Sequence, residues 1–79
     1  MNKQFRKSLE KIAIKLEDSI AEISTLLGKE YDNYENMPKN LTKICDDSKN
    51  AIDCLDIAYD DIDGAISLIY DAVGKERPI

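Results

Sequence analysis

Apolar residues in the second half of the chain recur every seven positions. Alanine stands at Ala51, Ala58, Ala65 and Ala72. Each is followed by a bulky apolar residue: Ile52, Tyr59, Ile66 and Val73. The first three are also followed, four positions on, by Leu55, Ile62 and Ile69. A phased period of seven marks a helix that lies against other helices along one seam. The full stripe runs Leu41, Cys45, Ser48, Ile52, Leu55, Tyr59, Ile62, Ile66, Ile69, Val73, in steps of three and four, and predicts a helix over about 41–73. Asn40 or Thr42 could cap its start. Gly74, then Lys75, Arg77 and Pro78, supply stop signals, the two cations suiting the negative helix end.

The first half carries Phe5, Leu9, Ile12, Leu16, Ile20, Ile23, Leu27, Tyr31 and Tyr34 at helical spacing, which predicts a helix over about 3–34. Ala13 and Leu26 widen this stripe. Between the two lies a turn at about 35–40, where Asn36, Pro38 and Asn40 crowd together and proline disfavours helix at Met37. Two long helices with a short connection fold back on each other. The expected architecture is therefore all-α: one domain over 1–79, a long antiparallel two-helix hairpin.

The helix-packing seam is expected at Ala51, Ile52, Leu55, Ala58, Tyr59, Ile62, Ala65, Ile66 and Ile69, with the alanines allowing close approach to helix one or to a symmetry mate. A second set lies off the seam: Ile14, Ala21 and Gly28 on helix one, and Cys54, Ile57, Gly64 and Leu68 on helix two. A lone hairpin would expose these residues, so they are expected to form a subunit interface, giving a homodimeric four-helix bundle with coiled-coil packing. Size favours the same conclusion. A chain of 79 residues supplies only a few kcal/mol of core stability. Cys45 and Cys54 are nine apart on one helix, about 13 Å, too far for a disulfide. The remaining route to stability is association.

Charge separates the two halves. Met1 to Lys15 holds five bases and one acid, whereas Asp56 to Asp71 holds five aspartates and no base. A hairpin would lay these segments side by side. The net charge of −5 disfavours direct nucleic-acid binding. Asp46, Asp53, Asp56, Asp60 and Asp63 form a candidate acidic face for a partner with a basic surface.

Material for catalysis is scarce. Histidine is absent, the serines have no triad neighbours, and Cys45 belongs to the apolar stripe. Asp60-Asp61-Ile62-Asp63-Gly64 has the wrong register for a calcium loop: the end positions fall on Tyr59 and Tyr70. No enzyme activity, cofactor or metal is expected. No apolar run is long enough to span a membrane. Two unpaired cysteines fit a cytoplasmic location.

Asn36-Met37-Pro38, Asn40-Leu41, and Ala51-Ile52 with Leu55 carry a family resemblance. Over about residues 5–73 the chain resembles small helical-hairpin proteins of phages, prophages and conjugative elements of Gram-positive bacteria. It departs from them at Lys39 and in having fewer glutamates. The resemblance implies a mobile-element origin and a helical hairpin, and it brings no activity or ligand. The expected function is a small non-enzymatic protein–protein interaction module, an accessory protein of a phage or mobile element. The alternative is an acidic, nucleic-acid-mimicking inhibitor of a host defence or nucleic-acid-binding protein.

Overall fold

The computed structural model describes residues 1–78. Two helices, α1 (Lys3–Glu35) and α2 (Thr42–Val73), pack against each other as an antiparallel hairpin. The molecule is a rod, with a radius of gyration of 17.1 Å, where a compact chain of this length would have about 12 Å. Its accessible surface is 6015 Å², against about 4,800 Å² for a globule of the same mass.

Local chemistry sets the helix ends. Asn2 caps α1, its side-chain oxygen accepting from the Phe5 amide at 2.8 Å. At the other end the Asn36 amide and side-chain Nδ2 both donate to the Asp32 carbonyl, at 3.1 and 2.9 Å. The start of α2 differs from expectation: neither Asn40 nor Thr42 caps it. Leu41 holds the cap position, without a side-chain acceptor. The turn instead closes through the Leu41 amide to the Pro38 carbonyl at 3.1 Å, and the Cys45 thiol donates to the same carbonyl at 3.6 Å. Across the turn, the Lys39 ammonium sits 5.1 Å from the centre of the Tyr34 ring, a cation–π contact.

The C-terminus of α2 ends as its glycine implies. Gly74 takes the left-handed conformation, φ 74°. The Gly74 amide donates to Asp71 and the Lys75 amide to Tyr70, both at 3.1 Å, the paired bonds of a Schellman stop. The chain then reverses and residues 75–78 return along the hairpin.

The seam follows a heptad on both helices. With a and d as the contacting positions, α1 places Ala13, Ile20, Leu27 and Tyr34 at a, and Leu9, Leu16, Ile23 and Glu30 at d. On α2, Cys45, Ile52, Tyr59, Ile66 and Val73 hold a, and Ser48, Leu55, Ile62 and Ile69 hold d. All of these are buried or half-buried. Ala13 and Ile66 are fully buried, and with Ile20, Tyr70 and Val73 they form the core cluster.

Two α1 positions therefore depart from expectation. Ala13 takes the seam in place of Ile12, which is 46% exposed, and Glu30 takes it in place of Tyr31. Strict alternation of three and four selects Ala13, and a small residue there lets α1 approach the fully enclosed Ile66. Glu30 is tolerated because the buried Ser48 hydroxyl donates to its carboxylate at 2.6 Å. Phe5 and Leu41, also expected on the stripes, are exposed.

The alanine row lies one position before each a residue of α2, at the flank of the seam called g. Ala51 and Ala58 are half-buried there, while Ala65 and Ala72 are exposed. Within the hairpin, then, the row borders the α1 contact and does not fill it. No described helix is long and apolar enough to cross a membrane.

These placements separate two alanines. Ala13→Leu overfills a fully buried position of the seam and should lower unfolding stability by about 1–3 kcal/mol. Ala21→Leu, at an exposed position, should change it by less than about 0.5 kcal/mol. Urea unfolding followed by circular dichroism measures both. Gly74→Ala meets no obstructing atom but retains a left-handed backbone, and should cost about 1–2 kcal/mol in the same assay.

Candidate functional site

The surface of the rod divides into flanks with different chemistry. In an antiparallel pair, e positions of the two helices share one flank and g positions share the other. Arg77 fixes which flank is which. Its guanidinium reaches Glu17 of α1 at 3.3 Å and Asp63 of α2 at 2.7 Å. Both acids are e residues, so the returning tail lies across the e flank.

The tail is a strap held by charge. Arg77 also donates to the Asp63 carbonyl at 3.2 Å and to the Ser67 hydroxyl at 3.1 Å. Lys75 pairs with Glu10, another e residue, at 3.3 Å. Glu17 and Asp63 would otherwise face each other as like charges across the groove. The cation between them removes that repulsion, and these partners, the Asp63 hydrogen bond first, hold Arg77 above the ordinary guanidinium pKa. Lys75 and Arg77 thus bind acids on the helix sides, where the sequence pointed them at the helix terminus. A shallow groove beneath the strap is lined by Ser67, Tyr70, Asp71 and the tail itself.

The candidate acidic face runs beside this strap. Asp46, Asp53, Asp56 and Asp60 are exposed. Asp53 is shared with Lys49 of the same helix at 3.4 Å. Asp63 is set apart: it is half-buried and committed to Arg77. The basic segment of α1 does lie alongside the aspartate-rich part of α2. Among the described residues, however, the ion pairs between elements come from Lys75 and Arg77, not from that segment. Three of its five bases, Lys7, Lys11 and Lys15, fall at b, f and c and point outward.

The residues expected to form a subunit interface are exposed, but the structure does not bring them together. Ile14, Ala21 and Gly28 lie at b of α1, toward the strap. Cys54 and Leu68, at c of α2, lie toward the opposite flank, and Ile57 and Gly64, at f, face directly outward. Cys45 and Cys54 are free thiols, the first half-buried and the second exposed.

The opposite flank was not recognised as a unit in the sequence. Its α1 g positions are Phe5, Ile12, Ser19, Leu26 and Asn33, and all five are exposed. Its α2 g positions are Ile44 and the alanine row. Its signal in the sequence is a second seven-residue spacing, Phe5-Ile12-Ser19-Leu26, which the main stripe masks because Phe5 and Ile12 fit both. No cluster of three or more metal-ligating side chains occurs among the described residues.

No family model, curated protein or solved structure matches the chain.

The strap can be tested by charge. Arg77→Ala leaves Glu17 facing Asp63 and should lower the melting temperature. Glu17→Gln in the Arg77→Ala background should recover part of that loss. Thermal melts at low and high salt read both effects, which added salt should shrink.

Proposed function

We propose that this protein is a non-enzymatic protein–protein interaction module that self-associates in the cytoplasm as an accessory factor of a phage or mobile element. One observation carries the association reading. The hairpin leaves Phe5, Leu26 and Leu68 each more than half exposed, on a rod already short of buried surface. Large exposed apolar surface on a small chain is costly in water and marks contact sites. The resemblance around Asn36-Met37-Pro38 supports the mobile-element origin.

Mass action provides the test. If the chain self-associates, raising its concentration from about 5 to about 200 µM raises the melting temperature, because assembly stabilises only the folded state. A melting temperature independent of concentration contradicts the reading.

The exposed row Asp46, Asp53, Asp56 and Asp60 favours a second reading, in which the protein occupies a basic groove on a host defence or nucleic-acid-binding protein. Regularly spaced carboxylates on a rod resemble a line of phosphates, and such contacts are salt-sensitive. The triple variant Asp53→Lys, Asp56→Lys, Asp60→Lys should lose a partner captured from host extract at low salt while keeping its helicity. Asp63 is left intact because it anchors the strap. A captured partner that survives both high salt and charge reversal contradicts mimicry.

A further inference from the structure

We propose that the g flank is the self-association face, and that its occupant is a second copy of the chain related by a two-fold axis along the rod. The inference rests on the self-association reading above and assigns it a surface.

Helices whose apolar residues stop at a and d suit a two-stranded seam, whereas those also apolar at e or g suit the interior of a larger bundle. Both helices here extend their apolar pattern to g. At e they carry the acids Glu10, Glu17, Asp56 and Asp63 with Lys3, Ser24, Tyr31, Lys49 and Tyr70, the last already buried in the core, and the strap covers part of that side. The hairpin therefore has one mainly polar flank, partly covered, and one open flank that is mainly apolar.

The open flank is built to receive itself. Its α1 side is large, with Phe5, Ile12 and Leu26, and its α2 side is small from Ala51 through Ala58 and Ala65 to Ala72, with one large residue, Ile44, at the turn end. The Ser48–Glu30 hydrogen bond sets the level of one helix against the other. At that level Phe5, Ile12, Ser19 and Leu26 stand beside Ala72, Ala65, Ala58 and Ala51. A two-fold axis along the rod lays α1 of one copy over α2 of the other at the same height. Phe5, Ile12 and Leu26 then each meet an alanine, Ile44 meets Asn33, and every neighbouring pair of helices is antiparallel, as in an up-down bundle.

The area suffices. A face of 58 by 17 Å has a footprint of about 1,000 Å², against about 800 Å² per partner in a standard specific interface. The arrangement leaves Asp46, Asp53 and Asp60 on the outside of the assembly.

Sedimentation equilibrium on the full chain tests this, with circular dichroism to confirm that each variant stays helical. The wild type should sediment at twice 8.9 kDa. Ala65→Glu and Leu26→Glu change residues that are exposed in the single hairpin, so the hairpin should persist while the dissociation constant rises at least about tenfold. Ile14→Glu with Ile57→Glu, which lie at b of α1 and f of α2 and away from the g flank, should leave the dimer intact. If the g-flank variants remain dimeric, or the outer pair abolishes the dimer, the face is wrong and self-association stands. A wild type that is monomeric up to about 200 µM overturns both.

Discussion

Everything in this structure depends on the close approach of α1 and α2 along one strictly alternating seam. Its tightest part is the cluster around Ala13 and Ile66, both fully buried. Ala13 is fully enclosed in the same cluster as Ile66, which leaves no room there for a larger side chain. Once that contact forms, heptad geometry fixes the other positions of both helices. The Ser48–Glu30 hydrogen bond sets the level at which they meet. The two outer flanks and their chemistry follow from that choice.

The flanks are treated in opposite ways. The e flank brings carboxylates of both helices toward each other, an arrangement that would weaken a bare hairpin. The Schellman stop at Gly74 turns the chain back so that Lys75 and Arg77 arrive among those carboxylates. A backbone conformation open to glycine thus places the cations. The g flank has no such cover. Its large side chains on α1 and small ones on α2 make a surface of complementary relief, on a molecule whose rod shape leaves more area exposed than a globule would. Stability of a chain this size is a small difference between large terms, so covering that flank would weigh heavily.

Periodicity made much of the fold legible. The stripe from Cys45 to Val73, the break at Asn36-Pro38 and the stop at Gly74 are local signals, and the helices begin and end close to where those signals lie. What was not legible came from contacts between elements. Ile12 and Ala13 are adjacent, and hydrophobicity alone prefers the isoleucine; burial of Ala13 is decided by how closely α2 approaches. Tyr31 likewise yields to Glu30, because Ser48 on the other helix supplies a hydrogen bond that no reading of α1 alone contains. The alanine row was conspicuous for its phase, but phase does not distinguish the centre of a seam from its border. The candidate surfaces were harder still. Ile14 and Cys54 are both exposed on secondary stripes, yet they lie toward opposite flanks, which only the paired helices reveal. Asp63 looks like its neighbouring aspartates in sequence, and the returning Arg77, fourteen residues on, sets it apart.

The most direct test of this account is the through-space neighbourhood of the Ala13 methyl group. In a nuclear Overhauser spectrum of the labelled protein it should show cross-peaks to the side chains of Ile66 and Tyr70 on α2, with Ile12 lacking a comparable set. If the Ala13 methyl sees only residues of its own helix while both helices are formed, or if Ile12 takes its place against Ile66, the seam lies elsewhere and the assignment of the two flanks falls with it.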